Sequence, residues 1–313
     1  MSPTASTTTT TTAAAPITEQ PGSGFKTIEG KLNYLGNQIE PPFVNLKAHK
    51  TGEPADNIVL EAHTVPILDL SASTKKQRDA AGYTVEQSGF EILQGWGLDS
   101  TAQPWAEAKW DEPGWIENEY YKDVDALLKK HVGATSTFIF DHTIRKRRPA
   151  DEQHLPDTPD SRQPVGQVHS DQTRWAGENR VQKHLGQEVL DRVLAGKTRA
   201  QIINVWRPLR GLALDHPLAF GDSRTVKPED WQVNELRYET WNGQTYLIRY
   251  NPSHKWYYYR GLPTDKAILL KCYDSTSDVR TPHTAFSDPT VPLDTEPRWS
   301  IEVRAIVLTD LEQ

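Results

Sequence analysis

Cysteine is almost absent: Cys272 is the only one in 313 residues. That excludes a disulfide framework within the chain and any zinc site built from cysteines. A lone thiol fits a reducing compartment. Long apolar runs are missing too, and none approaches the ~20 residues needed to span a bilayer. The first residues have neither the charged and apolar regions of a secretory signal nor the arginine of a mitochondrial transit peptide, so the expected location is cytoplasmic. Basic residues are outnumbered as well. Lys and Arg total 35 against 42 Asp and Glu, a net charge of −7. An acidic chain of this kind is a poor partner for phosphate backbones, so neither nucleic acid nor a membrane is expected as a partner. No internal repeat of fixed period is visible.

What is present is enough for a folded body. Hydrophobic residues make up 36% and there are 10 Trp, sufficient for a sizeable core. Residues 1–24 differ from the rest. Thr7 to Thr12 is an unbroken threonine run, followed by Ala13–Ala15 and a Pro/Gly/Ser mixture. Such a segment buries too little apolar surface to offset its ordering entropy, and it is expected to be a disordered tail. Beyond it, Ile58–His63 and Gly89–Leu93 read as strands and Lys75–Ala81 as a short helix. Trp96, Trp105, Trp110 and Trp115 fall in a stretch broken by Pro104 and Pro113. Ile116, Tyr120, Val124, Leu127 and Leu128 follow a helical period over 115–131. Strand-length, β-favouring segments then dominate: 137–140, 201–206, 245–250, 255–259, 267–273 and 300–308. One helix, 179–194, interrupts them. The pattern suggests an antiparallel barrel or sandwich.

Ten histidines are present, and one stands two residues before an aspartate, in Gly166-Gln-Val-His-Ser-Asp-Gln-Thr173. In a strand, residues i and i+2 point the same way, so His169 and Asp171 can offer an imidazole and a carboxylate to one point. A second, distant histidine would complete a two-His, one-carboxylate face with open positions, the pattern of non-haem Fe(II) oxygenases. The bland reading of His-x-Asp is a turn whose aspartate caps a backbone group. The C-terminal quarter shifts the balance. His283 follows a strand, and fifteen residues later Arg298-Trp-Ser300 opens the last strand. Arg298, Ser300, Glu302 and Arg304 share one face of it. Four polar side chains on one face are costly unless that face lines a polar cavity. An arginine beside a hydroxyl is a receptor for a carboxylate.

These segments resemble the Fe(II)/2-oxoglutarate-dependent oxygenases, and more narrowly the fungal hydroxylase/desaturase group of secondary metabolism, related to gibberellin desaturase and to the cephamycin methoxylation subunit. The resemblance is carried by Phe140-Asp-His-Thr-Ile-Arg145, Val168-His-Ser-Asp-Gln-Thr173, Ile203-Asn-Val-Trp-Arg-Pro-Leu209, Pro217-Leu-Ala-Phe220, Arg249-Tyr-Asn-Pro-Ser-His-Lys-Trp-Tyr258, Leu270-Lys-Cys-Tyr-Asp-Ser275, Thr281-Pro-His-Thr-Ala-Phe286 and Arg298-Trp-Ser-Ile-Glu-Val-Arg304. It implies a mainly β fold with added helices around a double-stranded β-helix, the jelly-roll or cupin-like core. Residues 25–313 would form one oxygenase domain, with an extension at 25–134 and the β-helix at 135–308. It implies Fe(II) held by His169, Asp171 and His283, with 2-oxoglutarate and O₂ as co-substrates. The far carboxylate of 2-oxoglutarate would meet Arg298 and Ser300, with Arg304 as the alternative anchor. Trp299 departs from the family, where a Glu is expected.

The implied reaction couples oxidative decarboxylation of 2-oxoglutarate to attack on an unactivated C–H of a small organic substrate, giving hydroxylation, desaturation or oxidative cyclisation. Asn204 and Tyr257 are expected to line the substrate pocket. His142 reads as structural or as an indirect support to the site, and Cys272 as a buried, inert thiol. Two rival functions share the pattern: a zinc-dependent hydrolase on the same three ligands, for which no His-Glu-x-x-His helix exists, and a non-catalytic β-sandwich that binds a ligand or partner. A homo-oligomer is left open.

Overall fold

A computed structural model describes Thr18–Glu19, residues 25–95 and 109–148, Glu152, Asp157, and residues 162–292 and 294–311. In chain order the strands are β1 (Thr18–Glu19), β2 (Lys26–Leu35), β3 (Phe43–Asn45), β4 (Leu60–Asp69), β5 (Phe90–Gln94), β6 (Ser136–Lys146), β7 (His169–Ser170), β8 (Thr198–Pro208), β9 (Leu212–Ala213), β10 (Leu218–Gly221), β11 (Trp231–Arg237), β12 (Asn242–Ile248), β13 (Trp256–Tyr258), β14 (Leu262–Pro263), β15 (Lys266–Asp274), β16 (His283–Ala285) and β17 (Trp299–Asp310). The α-helices are α1 (Ala48–Thr51), α2 (Lys75–Ala80), α3 (Tyr121–Val132), α4 (Arg174–Leu185) and α5 (Gln187–Leu194).

Two sheets face each other. The larger has ten strands in the order β1-β2-β4-β13-β10-β16-β7-β12-β11-β3, the smaller five in the order β5-β15-β8-β17-β6. All their pairings are antiparallel except β11·β3 and β13·β4. Leu218, Phe220 and Tyr257 of the large sheet pack on Phe90, Ile92, Trp206, Ile268 and Leu270 of the small one, which fills the space between them. The back of the small sheet is covered by α3 through Val124, Leu127 and Leu128, while α5 packs through Leu190 and Val193 on Ile202 and Ile306, which share the inner face with Trp206 and Arg304. This is the double-stranded β-helix that the resemblance implied. Among the described residues no helix is long and apolar enough to cross a membrane.

The differences from the sequence reading have local causes. The helix expected over 179–194 is two helices, α4 beginning earlier at Arg174, because Gly186 adopts φ 91° and ends the first one. The helix expected from 115 opens with a π-type turn over Ile116–Tyr120 before α3. β6 runs on to Lys146 rather than stopping at Phe140. β2 and β11 are additional strands, and β4 continues through Pro66 to Asp69. Of residues 1–24, Thr18–Glu19 pair with Thr27 and Lys26 at the sheet edge. The remainder of that segment lies outside the described residues, as do Trp96 and Trp105.

Candidate metal and co-substrate site

His169 sits in a two-residue strand with a neighbour on each side. Leu247 of β12 pairs with it on one edge and His283 of β16 on the other. Residues directly opposite in adjacent antiparallel strands bring their side chains together, and the two imidazole centroids lie 4.4 Å apart. His283, expected just after a strand, is itself in one. Asp171 follows β7 and returns to the same point, so one ligand atom from each of His169, Asp171 and His283 falls within 4.8 Å of the others.

The tautomers follow from the hydrogen bonds. His169 Nδ1 lies 2.8 Å from the Gln167 carbonyl and His283 Nδ1 3.1 Å from the Thr281 carbonyl. A carbonyl only accepts, so each Nδ1 carries the proton and each Nε2 keeps its lone pair for a ligand. Burial, reinforced by the neighbouring His169, lowers the pKa of His283 and favours that neutral form. The Asp171 oxygens have separate tasks. Oδ1 faces His169 Nε2 at 3.5 Å. Oδ2 accepts from Arg304 Nε at 2.8 Å and from Asn204 Nδ2 at 2.8 Å. Burial opposes the Asp171 charge, yet Arg304 above all holds its pKa well below the usual carboxylate range.

Arg304 is engaged through all three of its nitrogens. Besides Asp171 it donates to Glu302 at 2.7 Å, to Asp141 at 3.1 Å and to the Thr143 hydroxyl at 3.0 Å. Asn204, expected at the substrate pocket, instead bridges Asp171 and Glu302. It stands behind the carboxylate as a support. Tyr257 also departs from expectation: its ring packs against Tyr83 and Phe90 between the sheets, and its hydroxyl lies 3.1 Å from that of Tyr83. Strand alternation put it on an inward face, and that part of the inward face is closed core.

Arg298 is the opposite of Arg304. It is buried, with its guanidinium 5.4 Å from the Trp206 ring centroid. Its Nη1 donates to the carbonyl of His216, a residue held at φ 43°, in the left-handed region. Its Nε is buried with no hydrogen-bond partner. Burial, and next the adjacent Arg145, push its pKa down to about 9. Asp215 and Glu302 act the other way on its charge, but neither forms an ion pair with it, so a buried guanidinium with an unsatisfied donor is chemically suited to receive an anion. Ser300 is buried one residue pair along, opposite Arg145 and Pro208 in the ladder. Trp299 turns away and stacks under Arg210, whose guanidinium is 3.9 Å from the ring centroid.

A cavity of about 1160 Å³ opens beside this group. Asp171, Thr143, Arg145 and Arg304 form its inner wall, and Trp175, Arg180, Lys183, Tyr238 and Trp241 its outer one. His142 reaches its edge and accepts or donates at 2.8 Å to Tyr121. The sequence reading missed Asp141, Thr143 and Arg145 as site residues, although their period-2 spacing on β6 was a readable signal. It also missed the wall from α4 and the β11–β12 hairpin, which no motif marks.

The chain matches the model of the oxidoreductase/YMDC permease-like domain over residues 32–308. It is 32% identical over 263 residues to the Fe(II)/2-oxoglutarate-dependent dioxygenase nvfI of Aspergillus novofumigatus, covering 82% of this chain and 87% of that one. The chain belongs to the Fe(II)/2-oxoglutarate-dependent dioxygenases. Within this dioxygenase family it is also similar to the hydroxylase/desaturase poxK of Penicillium oxalicum, 29% identical over 289 residues and 83% of each chain. Its fold superposes on the iron and alpha-ketoglutarate-dependent endoperoxidase NvfI with a TM-score of 0.75, at 27% identity over 91% of this chain and 98% of that one. The donor set suits this membership. Two neutral imidazoles and one carboxylate leave half of an octahedral ion's positions for other ligands.

Proposed function

We propose that this dioxygenase uses Fe(II), 2-oxoglutarate and O₂ to oxidise an unactivated C–H of a small natural-product intermediate in fungal secondary metabolism, by hydroxylation, desaturation or oxidative cyclisation. The observation that carries the reading is the convergence of two Nε2 lone pairs and Asp171 Oδ1, with Oδ2 already tied to Arg304 and Asn204. His169, Asp171 and His283 would hold the iron, which when bound supplies O₂ activation. Arg298 would receive the far carboxylate of 2-oxoglutarate, with Ser300 beside it. Its unpartnered Nε and its depressed pKa support it over Arg304, whose charge is already met by three carboxylates. The protein's remaining work is to orient the substrate in the adjoining cavity and to exclude water around the reacting carbon. The reading includes one domain over residues 25–313 and, from the lone buried Cys272, a cytosolic setting.

The test is anaerobic calorimetry followed by turnover. One Fe(II) should bind per chain, 2-oxoglutarate should bind only after it, and admission of O₂ should release succinate. His283→Ala should abolish all three, because a three-ligand face has no spare member. Iron binding and succinate release that survive His283→Ala would sink the assignment.

A further inference from the structure

The cavity has an uneven charge pattern. Each of its acids is already paired: Asp141 and Asp171 with Arg304, and Glu235 with Arg237 at 3.0 Å. Its outer cations are not. Among the described residues neither Arg180 nor Lys183 has a carboxylate partner, and both are held by aromatic rings. The Arg180 guanidinium lies 5.0 Å from the Phe140 centroid and 5.3 Å from that of Trp241. Lys183 stands one turn along α4, 4.9 Å from the same Trp241 ring. A guanidinium resting on ring faces keeps its N–H edge free for an oxyanion.

The rings themselves are unusually open. Trp175 is 48% exposed and Trp241 38% exposed, both at the cavity wall. Trp241 is held flat by stacking on Tyr238 at 3.9 Å and 9°. Large apolar side chains left open around a cavity mark a binding surface. Trp241, with Tyr238 on one face and Arg180 and Lys183 over the other, offers its edge, and the half-exposed Trp175 offers apolar area to a flat partner.

We infer that the substrate is a ring compound bearing a carboxylate, its ring against Trp175 and the exposed edge of Trp241, its carboxylate on Arg180 and Lys183, and its opposite end directed to the Asp171 side of the cavity. This rests on the dioxygenase reading above and specifies the substrate class for that site. The two cations choose which end of the substrate stays outside, and so which C–H is presented. Reading the anion at the outer wall also leaves the Arg298 receptor to the co-substrate.

The experiment uses the full chain under nitrogen, saturated with Fe(II) and 2-oxoglutarate so that the inner anion site is filled. Binding of those two is measured first in the same samples. Fluorescence titration then compares naphthalene-2-carboxylate with naphthalene-2-carboxamide, which share a ring and differ in charge. The carboxylate should bind about tenfold more tightly, as expected for one well-made charge-assisted contact. The double variant Arg180→Gln, Lys183→Gln should erase that advantage and leave amide affinity unchanged, which also shows the variant is folded. Trp241→Ala should weaken both probes alike. Equal affinities in the native protein, a preference that survives the double variant, or no saturable binding of either probe would each overturn the inference. If iron and 2-oxoglutarate bind and only the probe preference fails, the substrate class is wrong. If those two do not bind, the enzyme class is.

Discussion

Two arginines on β17 and just before it differ only in what surrounds them. Arg304 is enclosed by three carboxylates, Asp141, Asp171 and Glu302. Arg298 has a carbonyl, an aromatic face and a second guanidinium, and Asp215 and Glu302 act on it without forming an ion pair. Their substitutions should therefore have opposite signs in the metal-free protein. Arg304→Ala strands two buried acids, Asp171 and Glu302, beside the more exposed Asp141, and should cost about 3–5 kcal/mol of stability, as for other broken buried pairs. Arg298 is harder to protonate folded than unfolded, with its pKa depressed to about 9. Its charge thus opposes folding at all pH below about 9, and the penalty fades only as pH rises above that. Arg298→Met should hold or raise stability at neutral pH while weakening 2-oxoglutarate at least about tenfold. Urea melts at pH 7 with calorimetric titration of 2-oxoglutarate decide this. Destabilisation by Arg298→Met with intact co-substrate affinity would exchange the two roles. At this scale the proposed ligand triad stood out in the sequence, because His169 and Asp171 sit two apart and His283 in a recognisable segment. The choice between Arg298 and Arg304 was not. Both share one strand face and one side-chain type, and the difference lies in partners from β6 and β7, far away in sequence.

At the scale of elements, the substrate wall depends on how closely α4 lies on the small sheet. Gly177 makes that approach: a Cβ built there would fall 2.4 Å from the Tyr273 ring of β15. α4 carries Trp175, Arg180 and Lys183, so the seating of one glycine sets the position of three cavity residues. Gly177→Ala gains helix propensity, worth about 1 kcal/mol. Overpacking against the ring costs roughly 1–3 kcal/mol, and nothing on the sheet side can yield cheaply. The net expectation is a slightly less stable protein whose iron and 2-oxoglutarate affinities are unchanged and whose affinity for naphthalene-2-carboxylate falls several-fold. Unaltered probe binding would show that α4 does not set the wall. None of this was legible in the sequence, where α4 and α5 read as one helix. The apolar repeat of Val181, Leu185, Val189 and Val193 runs through Gly186 unbroken, and only the backbone at φ 91° divides it. Tyr257 failed for a related reason. Strand periodicity says which face points inward, but not where the interior is packed and where it is open.

Across the whole molecule, the proposed ligands and their anchor belong to different sheets. His169 and His283 come from the ten-stranded sheet, with Asp171 directly after β7, whereas Ser300 lies in β17 of the five-stranded one and Arg298 directly before it. Iron alone engages one sheet. 2-Oxoglutarate chelated to that iron and held by Arg298 would join the two. Ligands that bind only the folded state stabilise it in proportion to the logarithm of saturation, about 2.7 kcal/mol at a hundredfold excess over Kd. Thermal melts under nitrogen should then show two separate increments, each roughly 5 °C for a chain of this size. Fe(II) should give the first, and 2-oxoglutarate the second only when iron is present. In Arg298→Met the first should persist and the second fall to about half or less. In His283→Ala both should be lost. An iron-independent shift from 2-oxoglutarate, or a full second increment in Arg298→Met, would mean that the co-substrate does not span the sheets by this route.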